Sequence, residues 1–255
     1  MLMLATALIF FTRLPLWRWI NVPSENFKRV IYYWSLTGWV TSTVMTGTLL
    51  LTSTIFPSSV AIVLAIISRV VLTGALHEDG LADFMDGFGG GNTKEKTLAI
   101  MKDSHAGTYA ILGLILYFLL SYSIMSSIDI SILIMLILIA DPFCKMVSSF
   151  ITMRLPYART VEASKIQAIY SKPTAKETFI SMFFGLLPFF ILIFFLPNYA
   201  YALALCVPII IFYMLTQWMK HKIQGYTGDC AGALFLILEL SLMLSFLAIY
   251  TCLSN

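Results

Sequence analysis

Seven apolar runs, at residues 30–52, 58–76, 106–126, 130–152, 178–196, 199–219 and 231–250, leave this chain few folds to adopt. Each is close to the ~20 residues a helix needs to cross a hydrocarbon core ~30 Å thick. Inside that core no water satisfies backbone N–H and C=O groups, so segments of this length cross as helices. Composition agrees: the chain is 59% hydrophobic and 11% charged, far more apolar than a soluble domain. The expected fold is all-α: one polytopic integral membrane bundle over residues 1–255, of about seven transmembrane helices plus a short N-terminal interfacial or re-entrant helix. Residues 1–11 supply that last piece. They lack the charged leader and small-residue cleavage pattern of a signal peptide, and at ~1.5 Å per residue they extend roughly 17 Å, too short to cross.

Charge placement orients the bundle. The connections at 12–29, 77–105, 153–177 and 220–230 alternate with tight turns around Pro57, Ser127 and Pro197. Of 16 Lys and Arg, 14 fall in the long connections, and the other two, Arg69 and Lys145, lie inside apolar runs. The positive-inside rule therefore puts the long connections in the cytoplasm. Trp17, Arg18 and Trp19 read as an interface anchor. Charges within spans are costly and usually functional. Arg69 is either a phosphate-holding group or a buried partner of Asp141 or Glu239. Asp141 and Lys145, four residues apart, can pair with each other, and Glu239 has no role assignable from sequence. Cys144, Cys206, Cys230 and Cys252 show no CxxC spacing and read as small packing residues.

Against this apolar background one stretch stands out: His77-Glu78-Asp79-Gly80-Leu81-Ala82-Asp83-Phe84-Met85-Asp86-Gly87. In a helix, Asp79, Asp83 and Asp86 stand at i, i+4 and i+7, within about 40° of one face. Three carboxylates on one face repel, so a bridging cation is expected. A hard divalent ion such as Mg2+, held by one or two carboxylates and by substrate phosphate, is the economical choice over a solvated acidic cap. The glycines of Gly87-Phe88-Gly89-Gly90-Gly91 allow backbone amides to approach an anion, although they lack a Walker ending. Asn92 or Thr93 is placed to cap a following helix.

Three further polar clusters share the same side. Met101-Lys102-Asp103-Ser104-His105 offers Lys102 for phosphate, with Asp103 or His105 as base or ligand. Arg154-Leu155-Pro156-Tyr157-Ala158-Arg159, followed by Lys165, Lys172 and Lys176, suits an anionic substrate or anionic lipid headgroups; the arginines favour substrate. Gln224-Gly225-Tyr226-Thr227-Gly228-Asp229 brings a carboxylate to the start of the last span. Two acidic clusters from separate helices are thus available to clamp one diphosphate through a metal ion.

These blocks occur in a fixed order. Phe11-Thr12-Arg13-Leu14-Pro15, the His77-Glu78-Asp79-Gly80-Leu81-Ala82-Asp83 block through Asp86-Gly87, Met101-Lys102-Asp103-Ser104 with Gly107-Thr108, Tyr157-Ala158-Arg159, and Gln224 to Gly232 together resemble the cobalamin synthase (adenosylcobinamide-GDP ribazoletransferase) family over nearly the whole chain. The acidic block is the most specific of them. The chain departs from the family pattern after Arg159, where Thr160-Val161-Glu162-Ala163-Ser164 replaces a Gly-rich continuation. The resemblance implies a membrane-bound, Mg2+-dependent enzyme in the cytoplasmic membrane of a bacterium or archaeon, with its active site facing the cytoplasm. Its substrates would be adenosylcobinamide-GDP and α-ribazole or its 5'-phosphate, with release of GMP. No nucleic-acid partner is expected.

Placed on that chemistry, Glu78, Asp79, Asp83, Asp86 and Asp229 are the expected metal ligands. Asp83, Asp86, Asp103 and His105 are the expected catalytic groups. Arg13, His77, Lys102, Arg154, Arg159, Gln224 and Thr227 are the expected substrate contacts. Two other classes fit less well. A CDP-alcohol phosphotransferase needs a DGxxAR spacing that Gly80-Leu81-Ala82-Asp83 does not supply. A cation transporter would run through Asp141, Lys145 and Glu239, yet the carboxylates gather at one interface rather than at the midplane.

Overall fold

The computed structural model describes residues 2–159, 170–195 and 198–254. The helices are α1 (Leu2–Phe11), α2 (Trp34–Ser53), α3 (Ser58–Thr73), α4 (Leu76–Gly90), α5 (Lys94–Ile100), α6 (Thr108–Ser126), α7 (Ile130–Ser149), α8 (Ile151–Arg154), α9 (Ala175–Leu192), α10 (Cys206–Ile223) and α11 (Gly228–Ser254). Short 3-10 turns join α1 to α2, extend α9 and precede α10. Among the described residues the only β pairing is an isolated bridge between Tyr157 and Tyr226. The all-α membrane architecture expected from the apolar runs is the one observed.

Among the described residues five helical segments are long and apolar enough to cross a membrane, and six if a bent pair counts as one span. The expected count of about seven is not confirmed, for two local reasons. The first is α2, where nine of twenty residues are Ser or Thr. Their hydroxyls are kept dry by bonding back to the helix: Thr37 Oγ1 donates to the Trp34 carbonyl and Thr46 Oγ1 to that of Ser42, which satisfies the hydroxyl without a second partner. The second is the run at 58–76, which does not end in a loop. It stops at Thr73, turns by 89° and continues as α4, so the acidic stretch is helical over residues 76–90.

The elbow has a clear backbone cause. Gly74 (φ 64°) and Ala75 (φ 57°) are both left-handed. The Gly74 N–H donates to the Val71 carbonyl at 3.2 Å and the Ala75 N–H to that of Val70 at 2.9 Å, the paired bonds of a Schellman ending. Glycine takes this conformation without strain, whereas alanine pays about 1–2 kcal/mol for it. Residue 13 braces the corner: the Arg13 N–H donates to the Leu72 carbonyl at 2.7 Å, and its side chain lies over Gly74.

Helix α11 runs through the core, packing on α4, α7 and α10, while α2 packs on α3 and α7. Buried charges are neutralised in pairs. The Arg69 Nη1 donates to both Glu239 carboxylate oxygens at 2.6 and 2.7 Å, and its Nη2 to the Tyr117 hydroxyl at 2.8 Å. Lys145 Nζ sits 2.6 Å from Asp141 Oδ1 and donates to Thr41 Oγ1, which donates to Asp141 Oδ2 at 2.7 Å. Of the open readings for Arg69, the buried partner of Glu239 is the one the structure contains, and Asp141 with Lys145 pairs as its spacing suggests. Cys144 and Cys230 are buried as expected of packing residues, but Cys206 and Cys252 are exposed.

Candidate active site

Helix α4 carries the acidic residues and is held between α11 on one side and α5 and α6 on the other. The α11 contact is the closest. A methyl group on Gly80 would lie 2.9 Å from the Asp229 carbonyl oxygen and 3.2 Å from its Cα, so only glycine lets the two backbones meet here. Gly232 reciprocates against His77 and Gly80. The crossing falls between Asp79 and Asp83, so both stand beside the first turn of α11, where Asp229 is. Thr227 builds that turn: its buried hydroxyl accepts from the Cys230 N–H at 3.2 Å and lies 3.4 Å from Asp229 Oδ2. It acts as a helix cap.

A second loop reaches the same point. The Ala158 N–H donates to the Tyr226 carbonyl at 2.8 Å and the Tyr226 N–H to that of Pro156 at 3.0 Å, which zips residues 156–158 to the strand-like approach of α11. Arg159 follows directly. Its guanidinium is 3.7 Å from Asp229 and donates to the Leu98 carbonyl of α5 at 3.3 Å. Asp79, Arg159 and Asp229 line a common cavity with His77. Four expected site residues from three separate stretches are therefore together. The continuation expected to matter after Arg159, including Lys165, lies outside the described residues.

At the other end of α4, roughly 10 Å from Asp79 along the helix axis, Asp86 shares a second recess with Asp103 and His105. Asp86 is committed to α6: Oδ2 accepts from the Gly107 N–H at 2.5 Å and Oδ1 from the Ala110 N–H at 2.9 Å. A carboxylate here satisfies two of the orphan donors of a helix start and opposes its dipole. Asp103 and His105 form a dyad. Asp103 Oδ1 accepts from the His105 N–H at 3.0 Å and lies 2.7 Å from His105 Nδ1. These bonds hold the Asp103 carboxyl below the usual range, and they leave His105 Nε2 open on a ring that is 91% exposed.

The remaining expected residues lie elsewhere. Glu78 is buried, with Oε2 lacking a hydrogen-bond partner, and it stands within electrostatic reach of Arg69 and Tyr117 rather than with Asp79. Arg154 donates from Nε to Thr216 Oγ1 at 2.7 Å, its guanidinium 4.5 Å above the Tyr213 ring. It borders a separate apolar groove with Met146, Phe150 and Met182. Arg13 covers the elbow. Gln224 takes a left-handed conformation (φ 56°) at the end of α10 and accepts from Lys94 at 3.3 Å. Lys102 is exposed beside Asp103. Of the two expected caps for α5, Thr93 performs the role, accepting from the Lys96 N–H.

Among the described residues no group of three or more His, Cys, Asp or Glu side chains is arranged to hold a metal ion by itself. That excludes an all-protein cage in this arrangement but suits a different mode. Asp79, exposed, and Asp83, half-buried one turn on, with Asp229 across the crossing, are hard oxygen donors. Mg2+ is characteristically held by one or two such carboxylates, with waters and substrate phosphate completing its shell. The donor set fits an ion that arrives with a diphosphate.

The chain resembles known proteins along most of its length. The cobalamin-5-phosphate synthase family model matches residues 3–247. A Shewanella amazonensis protein named adenosylcobinamide-GDP ribazoletransferase is 34% identical over 250 residues, covering 96% of this chain and 94% of that protein. One of the same name from Vibrio parahaemolyticus is 31% identical over 255 residues, covering 96% and 91%. No solved structure matches.

Proposed function

Since the chain belongs to the cobalamin-5-phosphate synthase family, we propose that it works as a membrane-embedded adenosylcobinamide-GDP ribazoletransferase whose active site is the α4–α11 crossing, facing the cytoplasm. The reaction joins adenosylcobinamide-GDP to α-ribazole or its 5'-phosphate and releases GMP. A ribose hydroxyl of ribazole forms a new O–P bond to the cobinamide-linked phosphorus, the P–O bond to GMP breaks, and the hydroxyl proton passes to a base.

The observation that carries this assignment is the convergence of Asp79, Asp229 and Arg159 at the crossing enforced by Gly80, with Asp83 one turn further along α4. Asp79 and Asp83, completed by Asp229, would hold Mg2+ against the diphosphate. When bound, the ion supplies charge neutralisation and a template for in-line displacement. Arg159 is already fixed by Leu98 and Asp229, so it presents N–H donors to a phosphate oxygen at little cost in ordering. His105 is the proton acceptor, through Nε2. Asp103 positions it by bonding Nδ1, the orienter-and-base arrangement of many hydrolytic sites. Asp86 anchors α6 so that this dyad sits at the end of α4. Glu78 and Arg154 are assigned no part in the chemistry.

The test is GMP release by the purified protein in detergent, given both substrates with Mg2+ or with chelator. Magnesium-dependent GMP release, matched by newly formed cobalamin product, is expected. Undiminished release in chelator would remove the metal from the assignment, and no release from folded protein would remove the reaction.

A further inference from the structure

Arg154 has no part in the proposed chemistry, and its charge is unanswered within the fold. Among the described residues Arg29, Arg69 and Arg159 each face a carboxylate, whereas Arg154 faces none. Its guanidinium is held in place all the same. Nε donates to the buried Thr216 hydroxyl at 2.7 Å, and the group lies 4.5 Å from the centre of the Tyr213 ring. Both Nη groups are left as donors for a partner.

Two recesses meet at this arginine. Met153 and Arg154 line both a groove of about 600 Å³ and a pocket of about 370 Å³. The groove is apolar and runs away from Arg154 between three helices: from Phe150 back to Phe143 along α7, from Thr178 to Leu186 along α9, and from Tyr213 back to Ile209 along α10. On α9 that run is about 12 Å long, most of the ~15 Å of hydrocarbon in one leaflet. Its floor is fixed where Gly185 lets α9 press on Met146. All three helices lie in segments able to cross a membrane, and Arg154 ends the first of these, Ile130–Arg154. The pocket is of the opposite character. Lys172, Thr152 and Tyr157 join Arg154 there, and no carboxylate is among its lining residues.

We infer that this pair of recesses is a binding site for one anionic phospholipid, with an acyl chain in the groove between α7, α9 and α10 and the phosphate held by Arg154 and Lys172. A fixed guanidinium fork suits phosphate, and cations at the end of a span attract anionic headgroups. An occupant must carry both a negative charge and a long hydrocarbon chain. The proposed substrates have phosphates but no such chain. A second copy of the protein offering the same face would bring no acid to Arg154, because Glu177, the one carboxylate of α9, is buried against Arg29, and α10 has none. The lipid phosphate then lies behind residues 156–158, the segment zipped to Tyr226, with the catalytic cavity on its far side, since Tyr157 lines both spaces. This gives to lipid an arginine that the sequence pattern offers to substrate.

The test reads binding directly, so it stands whether or not the proposed reaction does. The purified protein in detergent is given phosphatidylglycerol or phosphatidylcholine with the same acyl chains, and bound lipid is counted by native mass spectrometry. One phosphatidylglycerol is expected to be retained, about tenfold more tightly than phosphatidylcholine. Arg154→Gln removes the charge and is expected to erase that preference. Met182→Trp fills the groove and is expected to weaken binding of both lipids. Equal affinity for the two lipids in the wild type would overturn the inference, as would a preference that survives in Arg154→Gln or undiminished binding in Met182→Trp. Displacement of phosphatidylglycerol by adenosylcobinamide-GDP would make the pocket a substrate site, and a dimer without bound lipid that Met182→Trp dissociates would make the groove a contact between copies; either result overturns it. If Arg154→Gln does not fold, the wild-type preference and Met182→Trp decide.

Discussion

At the level of single residues, carboxylates that look equivalent in the sequence have different jobs. Asp83 stands next to the Gly80 crossing, so Asp83→Asn is expected to reduce GMP release at least a thousandfold, while yield in the membrane and thermal stability stay near wild type. Near-normal turnover in that variant would sink the ligand assignment. Asp86, three residues on, holds two N–H groups of α6, and its role is to cap. Asp103 and His105 are separated by substitution. Because its folded-state carboxyl is depressed by the His105 bonds, Asp103 keeps its charge as pH falls through the ordinary carboxylate range and loses it only below. His105→Gln is expected to lower kcat at least a hundredfold through loss of the proton acceptor, and Asp103→Asn to lower it less, since the imidazole stays and loses only its orienting carboxylate. The sequence revealed that these groups were chemical because charge is scarce in this chain. It did not rank them, since ranking depends on which N–H each oxygen meets.

Among elements, the decisive contact is between two helix backbones. Gly80→Ala would set a methyl group against the Asp229 carbonyl, and backbone cannot swing aside as a side chain can. The variant is expected to lose about 1–3 kcal/mol of stability from overpacking and to drop kcat by tenfold or more, because displacement by about 1 Å at reacting groups is costly. Wild-type kcat in Gly80→Ala would show that α4 and α11 need not touch for catalysis. Ala75→Gly should do the reverse at the elbow, raising the melting temperature by relieving left-handed strain. The helical face of Asp79, Asp83 and Asp86 was readable from i, i+4, i+7 spacing, and so was a cap at Asn92 or Thr93, between which the fold chooses Thr93. The elbow was not readable, because a single glycine followed by alanine marks a stop and carries no direction. Nor was the shortfall of α2 as an apolar span: a run rich in threonine passes for a membrane helix by length, and its hydroxyls find partners only within its own turns and against α7.

For the whole molecule, apolar periodicity and charge asymmetry were enough to give an all-α bundle, whereas the pairing of its buried charges needed long-range contacts. Arg69 and Glu239 lie 170 residues apart and tie α3 to α11. Removing one partner strands the other in a dry interior, at a cost of about 3–5 kcal/mol, whereas replacing both by apolar side chains is often nearly neutral. Glu239→Gln is therefore expected to lower the melting temperature in detergent sharply, and Arg69→Met with Glu239→Met to recover most of it. Equal loss in the single and double variants would mean the charges matter for something other than each other. The 89° turn between α3 and α4 has a consequence at this scale as well. If α3 stands upright in a bilayer, a helix that leaves it at a right angle runs sideways, so the roughly 10 Å from Asp79 to Asp86 is travelled parallel to the lipid surface and not through it. Every reacting group along α4 would then sit at one depth. A substrate with a bulky macrocycle at one end and a charged nucleotide at the other could be worked on from end to end without sinking or rising, like a strip of film drawn across a fixed gate.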